Sequence, residues 1–126
     1  MGIWATGPAA GPLFEALGLG LFALMTDLRR VRPREERSVS ASGRDPVELV
    51  VAYLSELLLL QATDGFLGRT IRVLPLGDPP TSLVASLAGE PFDPDRHTAR
   101  IEVKAITLHD LLFDAKRGRA RVIVDI

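Results

Sequence analysis

From Thr70 to Ile126 the chain reads as an uninterrupted set of strands, and this late run limits what the molecule can fold into. Five apolar stretches, Thr70 to Leu76, Leu83 to Leu87, Ala99 to Thr107, Leu108 to Phe113 and Ala120 to Ile126, are cut apart by turn-forming residues. The separators are Gly77-Asp78-Pro79-Pro80, the loop over 89–97 and a hairpin turn from Asp114 to Gly118. Helical patterns occur only before this run. Pro12 suits a first helical position, and Leu13, Leu17, Leu21, Leu24, Met25 and Leu28 form a stripe that predicts an amphipathic helix over 12–28. Asp45-Pro46-Val47-Glu48 predicts a second helix start, with Asp45 as N-cap and Glu48 reaching back as in a capping box. Val47, Val50, Val51, Leu54, Leu57 and Leu58 continue its apolar face until about Ala62 to Gly65, and Leu57 to Leu60 is apolar all round, as in a helix buried against a sheet.

Gly2 to Thr6 and Arg37 to Ser42 add two earlier strands. Two helices among early strands, followed by strands alone, predict an α+β fold: a mostly antiparallel sheet with both helices packed on one face, in a single two-layer domain over 1–126. Gly18 and Gly20 imitate the Gly-x-Gly of dinucleotide-binding folds, but the third glycine is missing and the pair lies inside the helical stripe.

At 126 residues, 47% of them hydrophobic, the chain buries a core without staples. It has no cysteine, which excludes disulfides and thiolate metal sites and fits a reducing cytoplasm. No signal peptide opens it, and no apolar stretch approaches the roughly 18 residues of a membrane span, so the expectation is a cytoplasmic protein without membrane contact. Fifteen basic residues against sixteen acidic ones give a formal charge of −1, so any RNA contact is local or indirect. Thirteen of the cations are arginine; only Lys104 and Lys116 are lysine. Lys116 falls in a turn, whereas Lys104 falls inside a predicted apolar strand, where a compact ammonium stands out.

The densest polar cluster, Gly89-Glu90-Pro91-Phe92-Asp93-Pro94-Asp95-Arg96-His97, leads into Ile101 to His109. Strand alternation there predicts Glu102, Lys104 and Ile106 on one face. His97 and His109 are candidate metal ligands or acid–base groups, with a hydrogen-bonded loop anchor as the other reading of His97. The absence of Cys, of His-x-x-x-His and of a serine elbow speaks against zinc or a hydrolytic triad, and Asp93 and Asp95 also fit a simple turn. Asp27 falls at the end of the first predicted helix, where the dipole disfavours a carboxylate unless a cation or donor compensates it; a solvated helix end is the first reading, a compensated one the second. The arginines at 29, 30, 32, 34 and 37 surround Glu35 and Glu36 without aromatics and read first as a solvated face and second as a nucleic-acid surface. At the other end, Arg119 to Ile126 predicts a strand running to the last residue. The Asp125 side chain and the Ile126 α-carboxylate form either a half-site for a hard cation or two water-facing charges.

Met25-Thr26-Asp27, the Gly89 to His97 loop, Glu102-Val103-Lys104-Ala105-Ile106-Thr107-Leu108-His109 and the closing Val124-Asp125-Ile126 together resemble the archease family over nearly the whole chain. The resemblance implies a non-enzymatic accessory protein that promotes guanylylation and multiple turnover of an RtcB-type RNA ligase in tRNA splicing and RNA repair. It also implies RNA contact that is at most indirect. Asp125 and Ile126 map to two ligands of a family cation site, calcium or magnesium by the hardness of its oxygens. Asp27, His97 and Lys104 become candidate partner contacts. The family's third ligand, an aspartate on the first strand, falls one position before Met1. The expectation is therefore that the cation is absent from this chain and that the native start lies upstream. Two other readings remain open: a small chaperone or binding module without a ligase partner, and, last, a hydrolase using Asp93, Asp95, His97 or His109.

Overall fold

Six strands and two helices are arranged in two three-stranded antiparallel sheets in the computed structural model, which describes residues 1–126. The chain runs β1 (Gly2–Thr6), α1 (Ala10–Met25), a 3₁₀ turn (Leu28–Arg30), β2 (Glu35–Ser42), α2 (Pro46–Asp64), β3 (Phe66–Leu76), β4 (Ser82–Pro91), β5 (Ala105–Asp114) and β6 (Arg119–Asp125). The strand order is β1-β6-β5 in one sheet and β2-β4-β3 in the other. The α+β class is the expected one; the strands divide into two sheets.

Each helix packs on both sheets, α1 on β1 and β3 and α2 on β2 and β5, and this joins the sheets through one core. Period-2 alternation sends Ile3 and Ala5 of β1, Ala120, Val122 and Val124 of β6, and Leu83, Ala85 and Leu87 of β4 inward. They meet Leu13, Phe14, Leu17, Leu21 and Phe22 of α1 and Leu49, Val50, Tyr53, Leu54 and Leu57 of α2, all fully buried. Each such leucine stabilises the fold by about 2 kcal/mol. At 19 residues and mean hydropathy 1.3, α2 is long and apolar enough to cross a membrane by length and composition, contrary to the reading of the sequence; in this fold its apolar face forms the core.

Asp45 caps α2 as expected, its Oδ1 accepting the Glu48 N–H at 2.8 Å. The reciprocal half of the capping box is missing, because the Glu48 carboxylate pairs with Arg44 Nε at 2.8 Å. Gly18 has a packing reason: a Cβ there would collide with the Tyr53 hydroxyl and Ile71. The tyrosine ring meets Phe14 edge-on at 5.7 Å, and its buried hydroxyl has no hydrogen-bond partner.

Two predicted elements change. The first helix ends at Met25, and Asp27 instead caps the 3₁₀ turn by accepting the Arg29 N–H at 3.1 Å. The strand predicted over 99–107 does not form before Ala105, and its last residues join the strand predicted over 108–113 in the single β5. Upstream of that point the backbone serves the helix: Arg100 N–H donates to Met25 O at 2.9 Å and Ile101 N–H to Leu24 O at 3.0 Å. Carbonyls left open at the C-terminus of α1 thereby take the donors that a strand ladder would have used.

Candidate functional site

The chain brings its most polar sequence features to two places of opposite character. The first is the end of the β1-β6-β5 sheet. Val124 N–H donates to Met1 O at 2.8 Å and Lys104 N–H to Asp125 O at 2.7 Å, so the chain's first residue, its last strand and the start of β5 converge. Side chains here face water: Met1 is 50% and Ile126 56% exposed, and Asp125 and Lys104 are exposed as well. Lys104 lies just before β5, outside any strand, and forms no ion pair with Asp125; its side chain lines a shallow groove with Ser55, Leu58, Leu59 and Ala62 of α2. Of the predicted shared face of Glu102, Lys104 and Ile106, Lys104 and Ile106 line this groove together, whereas Glu102 lines a separate one with Met25 and Phe92.

Asp125 and the terminal residue Ile126 are consecutive and both exposed, so two carboxylates lie at this end of the chain. No group of three His, Asp or Glu side chains converges anywhere in the fold.

The second place is closed. Glu90, at the end of β4, is enclosed by the Arg32 to Arg34 stretch and the 92–97 loop, and its side chain is only 5% exposed. Its Oε2 accepts from Arg96 Nη2 at 2.7 Å, from the Arg32 N–H at 2.8 Å and from His97 Nε2 at 3.0 Å; Oε1 accepts from Arg96 Nη1 at 2.9 Å. This bidentate arginine and the further donors outweigh burial and hold the carboxyl down at about 2. His97 accepts the Asp93 N–H on Nδ1 at 2.8 Å, which assigns the ring hydrogen to Nε2, where it is donated to Glu90. Gly89 makes the site possible, since a Cβ there would strike the Leu67 carbonyl of the neighbouring strand.

The candidates sort accordingly. His97 is a loop anchor with no exposed side-chain surface, which corrects its assignment as a direct partner contact: both ring nitrogens are engaged inside the fold. Asp93 and Asp95 form a turn, with the Asp95 N–H on Asp93 Oδ1 at 2.9 Å. His109 pairs with Asp110 at 3.2 Å on the exposed side of β5 and does not join His97. Asp27 is held at about 2 by the side chain and backbone N–H of Arg29, so a compensating donor is present where a solvated helix end is the first reading of the sequence. Glu90 itself went unsingled from the sequence. Alternation along β4 assigns it to the outer face with Val84 and Ser86; the signal was a lone acid between glycine and proline, six residues before Arg96 and seven before His97.

A family model described as the Archease protein family (MTH1598/TM1083) matches residues 1–126. The chain belongs to the archease family. Protein archease of Methanopyrus kandleri is 38% identical over 127 residues, covering 98% of this chain and 89% of that protein. Protein archease of Pyrococcus furiosus is 32% identical over 130 residues, covering 100% and 92%. Protein 1598 of Methanobacterium thermoautotrophicum, solved in solution, superposes with a TM-score of 0.83 at 34% identity, covering 99% of this chain and 91% of that one. The crystal structure of an archease from Thermotoga maritima, described as a possible chaperone, shares the fold at a TM-score of 0.59 and 14% identity, covering 100% and 90%. Both archease structures therefore share the α+β fold of this chain.

Proposed function

We propose that this archease-family protein is an accessory activator of an RtcB-type RNA ligase, promoting the ligase's guanylylation and multiple turnover in tRNA splicing and RNA repair. The observation that carries the reading is full-length family membership combined with an exposed end at which Asp125, Ile126 and Lys104 converge. Exposed carboxylates at a rigid strand end suit contact with a metal- and nucleotide-using enzyme, because they carry charge to the partner without a folding cost. A divalent cation, calcium or magnesium, enters this reading as a ligand of the Asp125 and Ile126 oxygens, with its remaining ligands supplied from outside residues 1–126. Asp27, fixed by Arg29, and the Lys104 ammonium are the other proposed contacts; His97 acts only by holding its loop. The working compartment in this reading is the cytoplasm.

The test is guanylylation and turnover of the cognate ligase with and without the purified protein. Stimulation that disappears in Asp125→Asn supports the reading, and an unchanged ligase in the presence of wild-type protein overturns it. The Thermotoga maritima relative's description favours one alternative, a chaperone or binding module without a ligase partner. That alternative predicts no ligase stimulation and suppression of aggregation of unrelated unfolded clients.

A further inference from the structure

One concavity has walls made only of cations. Arg29, Arg30, Arg32 and Arg96 line a cleft of about 240 Å³ with no hydrophobic residue in it. Arg29 is paired with Asp27 and Arg96 with Glu90, whereas Arg30 and Arg32 have no carboxylate within salt-bridge reach. Arg34, 63% exposed, stands beyond them at 4.0 Å from Glu90.

The cleft is built. Arg30 Nε donates to Arg96 O at 2.8 Å while Arg96 Nη2 donates to Arg30 O at 3.1 Å, so the two arginines clasp each other's backbone. Arg30 is fixed through Nε and its two terminal amino groups remain without protein acceptors. Arg32 spends its backbone N–H on Glu90, which sets its position and leaves the guanidinium exposed. The buried Glu90 network beneath holds Arg96 in the wall. Cations packed this closely repel one another, and an anion placed among them gains from all. Guanidinium donors in a fixed cluster match tetrahedral oxyanions bidentately.

We propose that this arginine cleft is a phosphate-binding site. The absence of any aromatic or apolar wall means that it grips the phosphate and not a base, so the ligand is a phosphate group either free or carried on a nucleic-acid backbone. A backbone phosphate would be the local RNA contact that a net charge of −1 permits.

The measurement uses the intact isolated protein and is independent of any ligase. Titration with tripolyphosphate and, separately, with a fluorescent single-stranded RNA oligonucleotide at low salt reads the two sources. Binding of the oligonucleotide well above that of tripolyphosphate assigns a backbone phosphate; binding of tripolyphosphate alone assigns a free one. Arg32→Gln keeps the backbone contact to Glu90 and is the variant safest for folding; Arg30→Gln, Arg32→Gln is the stronger one. The double variant weakens binding about tenfold, and the salt dependence of log affinity for RNA falls by roughly 0.7 per arginine removed. Arg119→Gln, Arg121→Gln, in β6, is the control for diffuse charge and leaves binding unchanged. No binding of either probe, or equal losses in the cleft and control variants, overturns the proposal.

Discussion

Glu90 and Asp125 are both carboxylates at the end of a β-strand, and they are used in opposite ways. Glu90 is sealed under two segments of chain and accepts from Arg96, the Arg32 N–H and His97. Asp125 is exposed beside a chain terminus, its backbone carbonyl bound by Lys104 and its carboxylate in no ion pair. A buried charge that loses a partner is left uncompensated, so the Glu90 region is committed to one geometry. An exposed charge loses little on rearrangement and is open to a partner. In this fold rigidity and availability occupy different places: the closed network orders the 28–34 and 92–97 segments, and the open end carries the groups proposed to meet the ligase.

The sharpest way to break this contrast is Glu90→Gln, which leaves Arg96 unpaired in the wall of the cleft and lowers stability by about 3 kcal/mol in urea unfolding at pH 7. Its pH dependence has a defined sign. The folded carboxyl sits at about 2 against an ordinary 4.5, so its contribution is fully present above 4.5 and is lost as pH falls toward 2. The gap between wild type and variant therefore closes over that window. A gap that stays constant with pH would falsify the assignment of Glu90 as the network's charged centre.

His97→Ala has the next largest effect, about 2 kcal/mol, since it removes an acceptor for the Asp93 N–H and a donor to Glu90. Hydrogen exchange of the Asp93 amide should accelerate with it, and an unchanged exchange rate would show that the ring does not anchor the loop. Tyr53→Phe reverses the sign. The hydroxyl is buried without a partner, and burial pushes its ionisation well up, so deleting the oxygen is neutral or stabilising by up to about 1 kcal/mol in thermal unfolding. A clear loss of stability would mean that the hydroxyl has a partner after all. Asp125→Asn should change stability least, within about 0.5 kcal/mol, while abolishing ligase stimulation. Stimulation that survives this change moves the contact surface away from the strand end.

Much of this was legible in the chain. Asp45-Pro46 marked the start of α2 because an N-cap acceptor and a fixed φ act within four residues. The Asp114 to Gly118 turn was equally local, with the Arg117 N–H on Asp114 Oδ1 at 3.1 Å and Gly118 at φ 69°. Residues 99–104 were not legible, because their apolar alternation matched a strand while the Arg100 and Ile101 N–H groups went to the end of α1, some 75 positions earlier. The division of the strands into two sheets was hidden for the same reason: which strand β6 joins depends on β1, at the far end of the chain.

Local chemistry in the sequence determined the helices, the turns and the inward faces of most strands, since caps, φ preferences and periodicity act over a few residues. Tertiary structure alone decided that Glu90 is buried, that His97 faces inward and that Arg30 and Arg96, 66 positions apart, hold each other in one cleft. Those outcomes depend on which distant backbone donors and carbonyls arrive beside a side chain, and only the closed fold sets that.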